Sequence, residues 1–197
     1  LHKKKFFVKI VGDYAWETAM NKGKTFFLIN DFQKERRKGM IKALHILQSW
    51  TCRRADRVIV PSSYLAGLVH GWGVSPDKIS VIYNGIDFKA ADTPKEDARR
   101  QIGISGNIII SVGRLVPWKG FRMLIKIMPR LLEINQFFRL VIIGDGPEME
   151  KLKAIVKNLG LEKKVFMVGR KNHQELAVYM KAADMFVLNT GYEGFSH

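Results

Sequence analysis

The residues best suited to chemistry stand in Ser111-Val112-Gly113-Arg114-Leu115-Val116-Pro117-Trp118-Lys119-Gly120, where two cations share a short Gly-containing stretch. A guanidinium and an ammonium brought to one point can neutralise a diphosphate, Arg114 through paired hydrogen bonds and Lys119 as a point charge. Gly113 lets the backbone come near a ligand, and a helix beginning just past Gly120 would turn its N-terminal amides toward an anion. The same residues also fit a Gly-bounded turn carrying two solvated charges. A second stretch, Gly144-Asp145-Gly146-Pro147-Glu148, opens like a dinucleotide-binding loop, but Met149 stands where the third glycine is needed. Pro147 suits the first position of a helix, so the stretch reads as a structural turn. Glu193 lies in the Gly-flanked run Gly191-Tyr192-Glu193-Gly194-Phe195, where a carboxylate either accepts hydrogen bonds from the hydroxyls of a sugar or polyol or stays solvated.

These stretches need a frame that places them together. From residue 105 onward short apolar runs alternate with helical periodicity: Ile108 to Val112, then Phe121, Leu124, Ile125, Met128, Leu131 and Leu132. Further strands are expected at Leu140 to Ile143, Val165 to Val168 and Met185 to Leu188, with helices around Met149 to Leu159 and Gln174 to Ala182. That alternation predicts an α/β fold with a doubly wound parallel sheet, whose ligands bind at the carboxyl ends of the strands. Before it, strands are expected at Phe6 to Val11, Arg57 to Val60 and Ile79 to Ile82, and helices at Lys34 to Arg54 and Ser62 to Gly71, with Ser62 as an N-cap. The turn signal Asn84-Gly85-Ile86-Asp87, with Pro94 beyond it, suggests two domains: residues 1–88, a linker over 89–104, and residues 105–197.

Composition narrows the function. The chain has 197 residues, a net charge of +15 and a single cysteine, Cys52. It therefore has room for a sizeable core, no internal disulfide or Cys-rich zinc site, and a charge that favours an anionic partner. No apolar run is long enough for a membrane span and no signal peptide is evident, which points to a cytoplasmic protein. Nucleic acid is not expected, since no zinc-finger, RRM-type or basic-zipper pattern accompanies the charge. Lys34, Arg36, Arg37, Lys38 and Lys42 could meet an anionic membrane surface, giving peripheral attachment. The histidines form no metal-ligand set, His45 falls in a packing or surface pattern, and Trp16, Trp50, Trp72 and Trp118 read as core or interface fillers.

Taken in order, Val60-Pro61-Ser62, Val81-Ile82-Tyr83-Asn84-Gly85-Ile86-Asp87, Gly113-Arg114-Leu115 with Lys119-Gly120, Gly144-Asp145-Gly146-Pro147 and Glu193-Gly194-Phe195 have the spacing of GT-B glycosyltransferases of the family-4 type, which this chain resembles. The resemblance covers about residues 57 to 197. It implies GT-B architecture, with two Rossmann-like domains that are both incomplete here. Residues 1–88 would be the later part of the acceptor-side domain and 105–197 most of the donor domain. It also implies retaining transfer of a sugar from a nucleotide diphosphate sugar to a glycan or lipid-linked acceptor, with the nucleotide sugar as co-substrate, no cofactor and no essential metal.

By position, Arg114 and Lys119 resemble the pair that neutralises the donor diphosphate, and Glu193 the first Glu of an E-x7-E motif at the donor sugar. The second Glu of that motif would lie past His197. Gly194 and Phe195 would offer backbone amides, and Val168-Gly169-Arg170-Lys171 resembles the loop that packs on the nucleobase. Many family members carry a His after the strand matching Phe6 to Val11; here Val11-Gly12-Asp13-Tyr14 leaves Asp13 as the polar candidate on the acceptor side. Two rivals come from other classes: a nicotinamide-dependent oxidoreductase, disfavoured by the broken G-x-G, and a basic module for membrane or nucleic acid.

Overall fold

The computed structural model describes residues 4–85 and 89–194. By contact the chain divides into two compact units, Leu1–Ile86 with Tyr192–His197, and Asp87–Gly191. The first unit runs β1 (Phe7–Lys9), α1 (Tyr14–Asn21), α2 (Ile29–Lys34), α3 (Gly39–Arg54), β2 (Arg57–Val60), α4 (Ser63–Gly71) and β3 (Ile79–Val81). Its strands form a parallel sheet in the order β1-β2-β3, with Val58 opposite Val8 on one side and Ile79 on the other. Ser62 caps α4 as expected, its side chain accepting from the Leu65 N–H. The helix expected over Lys34 to Arg54 starts only at Gly39, because the backbone is extended at Glu35 and again at Lys38, and the shorter α2, not expected, precedes it. Between them Arg37 turns back, donating to the Phe32 carbonyl at 3.1 Å with its guanidinium 4.8 Å from the Phe32 ring centroid.

The second unit runs α5 (Lys95–Ile102), β4 (Asn107–Val112), α6 (Phe121–Ile134), β5 (Phe138–Ile143), α7 (Met149–Asn158), β6 (Val165–Met167), α8 (His173–Ala182) and β7 (Met185–Phe186). Its parallel sheet has the order β6-β5-β4-β7. Strand alternation sorts the core onto two faces. Ile109, Leu140 and Ile142 pack with Phe121, Ile125 and Met128 of α6 and Leu152 and Val156 of α7. Ile108, Ile110, Val141 and Ile143 pack with Ala98 of α5 and Ala182 of α8. Register joins like to like, with Ile109 beside Leu140 and Ile110 beside Val141. Apart from the buried Ser111, the interior residues of β4 and β5 are apolar because both faces are covered, which is the doubly wound arrangement expected of the sequence.

The segment expected to be a linker over 89–104 carries α5. Ala98 and Ile102 give it a small apolar face, and ion pairs add to its attachment. Asp184, just before β7, accepts from Lys95 Nζ at 2.6 Å, Arg99 Nη2 at 2.6 Å and the Ile108 N–H at 2.7 Å. Burial by itself would raise the Asp184 pKa, but the Lys95 and Ile108 hydrogen bonds and the Arg99 charge outweigh it and hold the carboxyl below its ordinary 3.8. At the other end, the expected second domain extends to residue 197, whereas contact groups Tyr192–His197 with the first unit. The reason is aromatic: Tyr192 is buried and meets the Trp16 ring edge to face at 5.3 Å.

A depressed carboxyl pKa stabilises fully above the unfolded value and loses its effect as pH falls through the folded one. The Asp184 contribution should therefore be complete well above pH 3.8 and be lost progressively as pH falls from there through the lower folded value. Asp184→Ala should cost about 1–2 kcal/mol at neutral pH, after discounting for its partial exposure, and flatten the acid limb of the stability curve. Urea denaturation at several pH values checks both.

Candidate functional site

The carboxyl edge of the β6-β5-β4-β7 sheet is laced by main-chain hydrogen bonds between its own junctions. The Gly113 N–H donates to the Ile143 carbonyl at 2.9 Å, extending β4 alongside β5. One residue on, the Gly144 N–H donates to the Gly169 carbonyl at 2.9 Å. The Leu115 N–H donates to Asp145 O at 2.9 Å and the Glu148 N–H to Leu115 O at 3.0 Å, binding the loop after β4 to the loop after β5. The loop after β7 joins through the Gly191 N–H, which donates to the Trp118 carbonyl at 2.8 Å. The loops after all four strands thereby become one platform.

Glycine permits this lacing at two places above all. Gly144 has φ +142, and a Cβ there would collide with the Gly113 carbonyl. Gly120, φ +68, ends the turn Pro117–Lys119, and a Cβ on it would collide with the Asn189 carbonyl. Gly113 differs: a Cβ would meet only the tip of the Phe121 ring at an ordinary 3.6 Å. The backbone does not demand glycine there, while the adjoining space does benefit from its bareness.

That space is a cavity of about 460 Å³ bordered by Gly113, Arg114, Gly144, Asp145, Arg170 and Lys171, with Gly146 and Leu176 nearby on its wall. Three cations face one carboxylate around it, so it suits an anion. Lys171 is oriented by Glu175, whose carboxylate it meets at 3.1 Å. Glu175 also closes a capping box with Asn172 at the start of α8. The Asn172 N–H, first, and the Lys171 hydrogen bond hold the Glu175 carboxyl below the usual glutamate range. Among the described residues, no group of three His, Cys, Asp or Glu is placed to hold a metal ion.

The structure thus brings together Gly113, Arg114 and Arg170 of the expected site, with Gly169 supporting them through its carbonyl. Lys119 sits outside this lining, half-buried on the turn Pro117–Lys119 that the 189–191 loop anchors. Glu193 and Gly194 fall in the first unit, where the Ser62 hydroxyl donates to the Gly194 carbonyl at 2.6 Å. Phe195 lies outside the described residues. Lys171 lines the cavity as the last residue of the loop expected at the nucleobase, and Asp145 lines it from a stretch that reads as a structural turn.

Asp13 departs from the expectation of an acceptor contact. It is fully buried and caps α1, accepting from the Trp16 N–H at 3.1 Å, Gln48 Nε2 at 2.8 Å and Gln33 Nε2 at 2.8 Å. Both carboxylate oxygens are occupied inside the unit, which leaves the group to structure rather than to a ligand. Of the tryptophans expected as core or interface fillers, Trp16, Trp72 and Trp118 are buried and Trp50 is half exposed.

Residues 93–197 match the family model described as glycosyl transferases group 1, and residues 24–90 match that of glycosyltransferase family 4. Among curated proteins, the chain is 32% identical over 173 residues to N-acetylgalactosamine-N,N'-diacetylbacillosaminyl-diphospho-undecaprenol 4-alpha-N-acetylgalactosaminyltransferase of Campylobacter jejuni, covering 87% of this chain and 43% of that protein. It is 32% identical over 156 residues to mannosylfructose-phosphate synthase of Agrobacterium fabrum, covering 73% and 34%. The chain thus spans less than half the length of these relatives. Among solved structures, HepE of Anabaena in complex with UDP and glucose superposes with a TM-score of 0.68 at 20% identity, covering 95% of this chain and 46% of that one. Sucrose-phosphate synthase of Thermosynechococcus elongatus gives 0.72 at 22% identity, covering 98% and 46%. At such identities the two structures speak for the GT-B fold alone.

The two glycines separate by experiment. Gly144→Ala should destabilise the second unit by about 2–4 kcal/mol, since it adds backbone strain to a collision with main chain. Gly113→Ala should stay within about 1 kcal/mol of the parent and act on ligand binding instead. Guanidinium denaturation of both variants measures the contrast.

Proposed function

The chain belongs to the group 1 glycosyl transferases, and on that premise we propose that it serves in retaining transfer of a sugar from a nucleotide diphosphate sugar to an acceptor hydroxyl. The observation that carries this reading is the cavity at the sheet's carboxyl edge, where bare backbone at Gly113 and Gly144 adjoins Arg114, Arg170 and Lys171. In this reading the donor diphosphate lies on that backbone, paired with Arg114. Lys119, assigned by its motif, supplies the second cation. As the bond from the anomeric carbon to the diphosphate oxygen breaks, negative charge gathers on the departing nucleoside diphosphate, and the cations stabilise it. The acceptor oxygen bonds to the anomeric carbon, and its proton passes to the leaving diphosphate. Glu193 and the amides of Gly194 and Phe195, assigned by motif, engage the donor sugar, and Gly169 and Arg170 adjoin the nucleobase.

Support for the donor class comes from the HepE structure, which contains UDP and glucose. The Campylobacter relative's name describes a lipid diphosphate acceptor, in keeping with a glycan or lipid-linked acceptor for this chain. Among the described residues no helix is long and apolar enough to cross a membrane. A lipid-linked acceptor would then be met at an anionic membrane surface by the cations around Lys34, Arg36, Lys38 and Lys42, on the cytoplasmic face. At the donor site, Arg114 and Lys119 make a cofactor or metal unnecessary for neutralising the diphosphate.

In the full-length enzyme, Arg114→Ala and Lys119→Ala should each lower kcat/KM about tenfold or more, the value of a lost charge-assisted hydrogen bond of about 1.5–3 kcal/mol. Unchanged kinetics in both variants would remove the assignment. Activity should also persist in EDTA; complete loss restored by magnesium or manganese would show that a metal, rather than the two cations, neutralises the diphosphate.

A further inference from the structure

The cavity at the carboxyl edge has two ends. The sheet order β6-β5-β4 sets the junction after β6 two strand spacings, roughly 10 Å, from the junction after β4. Gly113 and Arg114 stand at one end, Lys171 and Leu176 at the other, and Asp145 of the middle junction lies between them. A nucleoside diphosphate whose phosphates rest at Arg114 therefore extends its base toward Lys171 and Leu176. Leu176, half-buried, offers a flat ring an apolar surface.

Lys171 is held in place at that end. Its ammonium lies 3.1 Å from Glu175 Oε1 and 5.6 Å from the centroid of the Tyr179 ring, and its side chain is 22% exposed. Glu175 is anchored in turn at the start of α8. Its other oxygen accepts from the Asn172 N–H at 3.0 Å, and its own N–H donates to Asn172 Oδ1 at 2.9 Å. One carboxylate oxygen thus closes the helix cap while the other aims the lysine. An ammonium carries three donors and no acceptor, and Glu175 takes one of the three. The chemistry that Lys171 brings to the cavity is donation alone. Asp145, the carboxylate on the cavity wall, belongs to the middle junction, level with the ribose, and its Oδ1 accepts from the Gly146 N–H at 2.7 Å.

We propose that Lys171, aimed by Glu175, selects a donor whose base carries a carbonyl oxygen at this edge, O4 of uracil or O6 of guanine, over one with an amino group there, as in cytosine or adenine. Lys171 touches the base, and Glu175 is a positioning residue. The inference rests on the nucleotide-sugar reading and narrows its donor class. A carbonyl oxygen accepts from the ammonium, whereas an amino group sets N–H against N–H and leaves the cation without an acceptor. Because Lys171 is already held, little side-chain freedom is lost when the base arrives.

Calorimetric titration of the full-length protein with UDP, CDP, IDP and ADP tests this. UDP and CDP exchange a carbonyl for an amino group on one ring; IDP and ADP do the same on the purine, IDP presenting the guanine O6 without the second amino group. UDP should bind about tenfold or more tightly than CDP, or IDP than ADP, and the pair that binds tells pyrimidine from purine. Lys171→Met, which keeps the stem and removes the donors, should bring the ratio within that pair close to one. Glu175→Gln, which can still close the capping box, should lower the ratio without lowering Tm. Arg114→Ala should weaken both members of the pair alike and leave the ratio standing. Equal binding within both pairs, preference for the amino base, or a ratio that survives Lys171→Met or Glu175→Gln overturns the proposal and leaves the donor reading in place. No binding by any of the four overturns the donor reading itself, and this inference with it.

Discussion

The structure of the second unit turns on one close approach, that of the Gly144 backbone to the carbonyl of Gly113. A side chain at 144 would push the loops after β4 and β5 apart and break the lacing that runs from Leu115 to Asp145 and from Gly144 to Gly169. With the lacing intact, Arg114 from the loop after β4 and Arg170 and Lys171 from the loop after β6 border one cavity. A binding surface built this way owes its rigidity to main chain, which leaves the side chains to chemistry.

The same logic explains why the two faces of that sheet are covered so differently. On one, α6 and α7 supply large apolar side chains, Phe121, Ile125, Met128 and Leu152. On the other, α5 adds Ala98 and Ile102 and α8 adds Leu176, Tyr179 and Ala182, and Lys95 and Arg99 of α5 also reach Asp184. Hydrophobic area secures both faces; on the second an ion-pair clasp supplements smaller side chains. The clasp also reaches the backbone at Ile108, so it fixes the start of β4, whose far end carries Gly113.

How much of this is legible in the residues depends on what periodicity can register. β4, α6, β5 and α7 have the alternation and spacing of buried elements, and they lie within a residue or two of where the pattern puts them. α5 is invisible because Lys95-Glu96-Asp97-Ala98-Arg99-Arg100 has no apolar stripe, and charge pairing across long sequence distance leaves no local mark. The break between α2 and α3 is hidden because Lys34 to Lys38 reads as a charged helical face, while Arg37 turns inward onto Phe32. At the site, Arg114 and Arg170 are legible because a charge just past a buried strand has to emerge at the sheet edge. Asp13 misleads for the complementary reason: it too follows a strand, yet two glutamines from α2 and α3 close over it.

The first unit is discontinuous in sequence: Tyr192 and Gly194 return to it after the whole of the second unit has been threaded. Trp16 and Ser62 therefore meet their partners only across separations such as the 132 residues between Ser62 and Gly194. On the ribosome the second unit must be synthesised before the first can be finished. The Trp16 surface stays uncovered through that interval, a vectorial dependence that makes Tyr192 and Gly194 a late checkpoint on the folding of segments translated long before them.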